Sequence, residues 1–287
     1  MLSFGARLSA VFATVGHLCV GIDPHPYLLA EWRLPDTADG VREFGLRVVE
    51  ATATVRGTAA SSGIVKPQVA FFERHGSAGY RSLELVLAAA RDAGLLVIAD
   101  AKRGDLGTSV EAYGQAWLTP GSPLEADAVT MSAFQGVGSI AAPLRLAAEH
   151  GKGVFVLAAT SNQEAHALQT ARMAAGTLGS RTVAAGIVSD VKQWNSTDGL
   201  GSIGVVIGAT VDLSDYGIDP AELRNTPILA PGIGHQGASA AELEAVFGAA
   251  TPNLVVNASR SILGAGHAGL RQAISSQAAE LAEVFAR

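Results

Sequence analysis

Apolar residues along this chain follow two rhythms. Eight short continuous runs, several rich in β-branched residues, recur along its length: LCVGI from Leu18, GIVKP from Gly63, LLVIAD from Leu95, DAVTM from Asp127, GVFVLAAT from Gly153, IGVVIG from Ile203, TPILAPG from Thr226 and NLVVNAS from Asn253. Between most of them, apolar positions return every three or four residues, as at Leu83, Val86, Leu87 and Ala90, or at Leu270, Ile274, Leu281 and Val284. The first rhythm predicts strands buried on both faces, the second amphipathic helices. Phe4, Leu8, Val11, Phe12 and Val15 predict a further helix over about residues 3–16. Arg7 ahead of an apolar stretch faintly imitates a secretion signal, but no clear cleavage site follows, and the helical spacing reads as part of the mature protein.

Eight buried strands alternating with helices predict an α/β fold, a (β/α)8 TIM barrel, for which about 250 residues is a typical length. An open doubly wound sheet is the alternative. No low-complexity linker or close internal repeat marks a boundary, so residues 1–287 read as a single domain. A barrel directs attention to the C-terminal ends of its strands, where active sites of this fold collect. Here those ends carry Asp23, Lys66, the segment Asp100 to Asp105, Thr130, Thr160 to Asn162, Gly208, PGIG from Pro231 and NASRS from Asn257.

Composition narrows the partners. The net charge of −6 supplies no basic field for nucleic acid or an anionic membrane surface, although local cations could still hold a small anionic ligand. No uninterrupted apolar run approaches the roughly 18 residues of a membrane span. The single cysteine, Cys19, cannot form an intrachain disulfide; it reads as a small buried hydrophobe in a reducing, cytoplasmic protein. The seven histidines never pair at metal-ligand spacing, so no metal is expected, and His25 and His235 read as loop residues near strand ends. GLGSIG at 199–204 fits a dinucleotide fingerprint in letters only, because a strand follows it where that motif needs a helix.

Against a charged fraction of 16%, the third apolar run ends in four charges within six residues: Asp100, Lys102, Arg103 and Asp105. Residues two apart on a strand share a face, which would put Asp100 and Lys102 together, with Lys66 approaching from the neighbouring strand. A row of alternating charge tolerates partial burial where like charges would not. A surface ion-pair cluster is the plainer reading. Two later loops tip the balance: PGIGHQG at 231–237 offers Gly232, Gly234 and Gln236, and NASRSI at 257–262 offers Arg260. In barrels the loops after the seventh and eighth strands often bind phosphate through backbone N–H groups, and an arginine fork matches phosphate oxygens.

Taken together, D-A-K-R-G-D at 100–105 and V-K-P-Q-V-A-F-F-E at 65–73 resemble the orotidine 5′-phosphate decarboxylase family, in its longer bacterial branch. The resemblance spans essentially the whole chain. It implies metal- and cofactor-free decarboxylation of orotidine 5′-phosphate to UMP, the last step of de novo pyrimidine synthesis. It also implies roles for the matching residues: Asp23 on the ribose; Lys66 on the ribose and in the charge row; Asp100 against the substrate carboxylate; Lys102 as proton donor to C6. Asp105 would reach across a homodimer interface, with Thr108 or Ser109 touching the partner's ribose. Ser161 would read the pyrimidine, while Gln236, Gly234 and Arg260 would hold the phosphate. The long stretches 26–40 and 163–200 carry no motif and read as embellished helices and mouth loops. Two rivals remain. A magnesium-dependent sugar-phosphate decarboxylase or aldolase resembles the chain in D-x-K-x-x-D but places a carboxylate where Lys66 stands; a non-catalytic nucleotide sensor would need Gln236 and Arg260 but not Lys102.

Overall fold

The structure, a computed structural model, describes residues 2–56, 61–174, 180–196, 198–233 and 241–285. Eight strands form a closed barrel in chain order: β1 (Leu18–Ile22), β2 (Ile64–Pro67), β3 (Leu96–Arg103), β4 (Ala128–Met131), β5 (Gly153–Ala159), β6 (Ile203–Ile207), β7 (Ile228–Pro231) and β8 (Leu254–Ala258). Every neighbour is parallel, and β8 closes on β1 with Cys19 opposite Asn257. Each predicted run lies on a strand, so the closed barrel replaces the open-sheet alternative. Only β3 clearly outruns its prediction, continuing beyond Asp100 to Arg103.

Helix α1 (Phe4–Thr14) precedes the barrel, and α2 (Pro26–Glu31) and α3 (Ala38–Val55) follow β1. Next come α4 (Val69–Glu73) and α5 (Gly76–Asp92) after β2, α6 (Gly107–Leu118) after β3, and α7 (Ala141–Glu149) after β4. Helices α8 (Gln163–Gln169) and α9 (Val183–Lys192) follow β5; α10 (Glu242–Phe247) follows β7; α11 (Arg260–Leu263) and α12 (Gly266–Phe285) follow β8. The β6–β7 connection carries a 3-10 turn (Pro220–Leu223) in place of a full α-helix. The motif-poor stretches thus hold α2 and the start of α3 in one case, α8 and α9 in the other. Among the described residues no helix is long and apolar enough to cross a membrane.

Strand alternation divides the core in two. Leu18, Val20 and Ile22 of β1 face outward to the helices, in one large cluster with Val48 of α3 and Leu270 of α12. Cys19, Ile64, Ile98, Ala128, Phe155, Leu229 and Val255 face inward and form a second cluster with Phe4, Leu8 and Val11 of α1. The N-terminal helix is therefore a plug for the barrel's lower end. Ser3 caps it, accepting from the Ala6 amide at 3.2 Å, and the Phe4 ring meets Phe155 edge-on at 5.9 Å. Gly153 leaves space for that ring, since a Cβ there would lie 2.4 Å from it. Each large apolar side chain so buried contributes roughly 1.5–3 kcal/mol. Among the described residues, the plug closes the barrel's lower end and leaves its C-terminal end open.

Candidate active site

The same alternation that builds the inner core carries polar residues to the open end. On β2, β3, β4 and β8 the inward position after the core residue is Lys66, Asp100, Thr130 and Asn257; on β5, β6 and β7 the inward residues at the mouth are Leu157, Val206 and Leu229. Together they line a cavity of about 440 Å³, polar on one side and apolar on the other. Asp23 after β1, Lys102 on β3, Ser161 after β5 and Arg260 after β8 also line it.

Asp100 is the hub of the polar side and is only 7% exposed. Lys66 Nζ donates to its Oδ2 at 2.7 Å and Lys102 Nζ to its Oδ1 at 2.6 Å. Thr130 Oγ1 donates to Oδ1 at 2.8 Å and Gln68 Nε2 to Oδ2 at 3.1 Å. Burial alone would raise the Asp100 pKa; the charges of Lys66 and Lys102, with their hydrogen bonds, outweigh it and hold the carboxyl far below the usual carboxylate range. Lys66 shows the mirror image. Its burial favours the neutral amine, but Asp100 and Asp23 reverse this and keep it an ammonium well above the ordinary lysine range. Lys66 is sealed at 4% exposure, while the side chain of Lys102 is 46% exposed and faces the cavity.

Asp100 and Lys102 do meet, although regular strand alternation is not the reason. Between Ala99 and Arg103 the β3–β4 register shifts, with four steps on β3 opposite two on β4. Lys102 sits inside this bulge in the left-handed region, with φ 47°, a conformation that costs a non-glycine residue roughly 1–2 kcal/mol. Its amide donates to Thr130 Oγ1 at 3.0 Å, so one threonine holds both the bulged backbone and the carboxylate. Strain of this kind is retained where the surroundings over-determine it.

Asp23 follows β1. Ser259 donates to its Oδ2, and Gly21 makes that approach possible, because a Cβ there would lie 2.7 Å from Ser259 Cβ. The other oxygen, Oδ1, is buried and accepts no hydrogen bond from the described residues, as is true of Asn257 Oδ1. Two orphaned acceptors at the rim of one cavity await donors, since an unmatched buried polar atom costs roughly 1–3 kcal/mol. Cys19, deeper inside the barrel, is inert: burial pushes its thiol up to about 12.

Of the predicted residues, Asp23, Lys66, Asp100, Lys102, Ser161 and Arg260 thus converge. Asp105, Thr108 and Ser109 do not line this cavity: Asp105 accepts from the Leu106 amide at 2.9 Å and the other two lie exposed on α6. Gly234 and Gln236 lie outside the described residues. Sequence reasoning passed over Gln68, Thr130, Asn257 and Ser259 as members of the site. The signal for the first three was strand parity, each being an inward position at a strand's C-terminal end or just beyond it.

With this geometry in view, the relatives are informative. Residues 16–273 match the family model described as orotidine 5′-phosphate decarboxylase / HUMPS family. An orotidine 5′-phosphate decarboxylase of Salinispora arenicola is 50% identical over 267 residues, covering 93% of this chain and 91% of that protein. One from Streptomyces coelicolor is 46% identical over 265 residues, covering 92% and 90%. A Streptomyces avermitilis crystal structure, provisionally given the same name, superposes with a TM-score of 0.91 at 46% identity over 100% of this chain and 97% of that one. The barrel, the open end and these similarities agree: the chain belongs to the orotidine 5′-phosphate decarboxylase / HUMPS family.

Proposed function

We propose that this chain converts orotidine 5′-phosphate to UMP and carbon dioxide, as a carboxy-lyase of pyrimidine biosynthesis that uses no metal or cofactor. The observation that carries this reading is the Lys66–Asp100–Lys102 row, in which one buried carboxylate is gripped by one sealed and one cavity-facing ammonium. The names of the relatives support the same substrate.

Arg260, with Gln236 and Gly234, takes the phosphate. The orphaned Asp23 Oδ1 accepts from a ribose hydroxyl, and Lys66 lies alongside. The pyrimidine rests on the apolar wall of Leu157, Val206 and Leu229, with Ser161 at its polar edge, and its carboxylate points at Asp100. Breaking the bond from C6 to the carboxylate releases carbon dioxide and leaves the electron pair on C6, where the ring cannot delocalise it well. A preorganised cation in a closed site stabilises such charge far better than water does. Lys102 supplies that cation and then transfers a proton from Nζ to C6. Asp100 keeps Lys66 charged and holds both lysine side chains in place. Binding energy from the phosphate is available to order the site around the ring.

Asp105, with Thr108 or Ser109, is proposed to complete the cavity of a second subunit in a homodimer. Its absence from its own chain's cavity supports this, as do the exposed apolar side chains that follow it: Leu106 is 58% and Tyr113 of α6 38% exposed.

The test is decarboxylation of orotidine 5′-phosphate by purified protein in excess EDTA, with Lys102→Ala alongside. Turnover by the parent that falls by about 10⁴-fold or more in the variant is expected, the combined size of general-acid and electrostatic contributions. Activity only after magnesium is restored would move the chain to the sugar-phosphate chemistry of the wider family. UMP binding without turnover would leave a sensor.

A further inference from the structure

Arg103 is the one charge of the 100–105 cluster that the proposed chemistry leaves without a task. Its guanidinium is turned away from the cavity and is held on three sides. Nη1 donates to the Ala101 carbonyl at 3.1 Å; Nη2 donates to Glu73 Oε1 at 2.9 Å and to the Tyr80 hydroxyl at 3.1 Å. Tyr80 in turn donates to Glu73 Oε1 at 2.8 Å, which closes a three-membered ring of hydrogen bonds, and the Tyr113 ring lies 5.9 Å from the guanidinium carbon. Burial, then the bond to Glu73, raises the Tyr80 pKa, so its hydroxyl keeps the proton that makes the ring.

An ion pair at a protein surface ordinarily adds little to stability. This one differs in where its bonds end. The Nη1 bond runs from residue 103 back to the carbonyl of residue 101, and the residue it spans is Lys102, at φ 47° inside the β3 bulge. The backbone carbonyl of Arg103 accepts from the Ser132 amide at 2.8 Å, tying the far side of the bulge to the end of β4. Glu73 stands at the end of α4, the helix that starts immediately after Gln68, and Gln68 bonds Asp100. One short segment, 66–73, therefore grips the charge row from inside the barrel and the bulge from outside it.

We propose that Arg103, anchored by Glu73 and Tyr80, is a positioning residue that clamps the left-handed turn at Lys102 and so fixes the Lys102 ammonium on Asp100. The inference rests on Lys102 being the cation and proton donor of the reaction. Without the clamp, Lys102 relaxes toward a commoner backbone conformation, and its Nζ leaves the place where charge develops. A displacement of about 1 Å costs on the order of 10²-fold in rate.

The experiment compares the parent, Arg103→Ala and Glu73→Gln by steady-state kinetics with orotidine 5′-phosphate, by thermal melting, and by hydrogen–deuterium exchange of the peptide covering 101–106. In Arg103→Ala we expect kcat to fall about 10²-fold with KM changed far less, the pattern of an interaction that matters in the transition state. Exchange at 101–106 should quicken while peptides from β6 to β8 stay as in the parent. Added guanidinium ion should restore part of kcat, and Glu73→Gln should show the same pattern more weakly. An unchanged kcat with unchanged exchange would overturn the clamp. A raised KM at parental kcat would also overturn it, by making Arg103 a ligand contact, as would exchange that rises throughout the barrel, which marks plain destabilisation. A parent that does not turn over orotidine 5′-phosphate would sink the proposed function itself; the clamp would then stand or fall on local exchange at 101–106 alone.

Discussion

Two aspartates, Asp100 and Asp127, are each only 7% exposed, and they sit at opposite ends of the barrel. Asp127 precedes β4 at the plugged end. Arg7 of α1 pairs with it, and its Oδ2 accepts from the Val97 amide at 2.9 Å. Arg7 also donates to the Gly151 carbonyl at 2.9 Å, and nearby Lys152 donates to Glu125 at 2.6 Å. Every charge in this group has a partner, and α1 covers it. Asp100, at the open end, carries two cations where one would neutralise it, and close by lie the unmatched acceptors of Asp23 and Asn257. Equal burial therefore hides opposite purposes. A closed set of partners stabilises a fold, whereas surplus charge facing a cavity is poised for something not yet bound.

The contrast breaks most sharply with Asp100→Asn. Turnover is expected to fall by at least about 10³-fold, the scale of losing preorganised electrostatics. UMP titration should show that the cavity still binds nucleotide, since the phosphate and ribose contacts remain. Asp127→Asn should do the reverse. The partly exposed arginine, its side chain 27% accessible, places the cost near the low end of the buried-pair range, about 3 kcal/mol in denaturant melts, with kcat of the folded fraction unchanged. A loss of turnover there beyond the loss of folded protein would show that the two ends are coupled.

The plugged end also carries its own pH dependence. His17 lies between the rings of Phe12 and Phe285, at 4.0 and 3.7 Å, and bonds the Leu254 carbonyl. Burial lowers its pKa to about 4, against about 6.5 for a free histidine. Between these values the unfolded chain binds a proton that the folded chain refuses, so stability falls as pH drops, by up to about 1.4 kcal/mol per pH unit. Measured against the parent, His17→Phe should flatten this part of the stability profile between pH 6.5 and 4; parallel profiles would refute it. The mildest test is Thr130→Val, which removes the hydroxyl shared by Asp100 and the Lys102 amide. A loss of one hydrogen-bonded group predicts about tenfold in kcat, measurable alongside the Asp100 variant.

Much of this protein was legible before any coordinates. Eight continuous apolar runs alternating with helical spacing determine parallel strands buried on both faces, which narrows the fold to a barrel or a doubly wound sheet; the closure of β8 on β1 came from the structure. The cluster 100–105 and Lys66 stood out because charge at the end of a buried strand demands a reason. Strand parity even contained Thr130 and Asn257, which pattern reading alone did not separate from ordinary strand ends. Other features lay beyond sequence, for one physical reason: they depend on distances between residues far apart in the chain. The helix over 4–14 is amphipathic in sequence, but only the fold makes it a stopper, by setting Phe4 against Phe155. Period-two alternation predicts that Asp100 and Lys102 share a face. Only the tertiary structure shows that a bulge and a left-handed lysine bring them together, held by Thr130 from one side and Arg103 from the other. Sequence determined which chemistry was present and on which strand ends; the fold decided which oxygen each nitrogen meets.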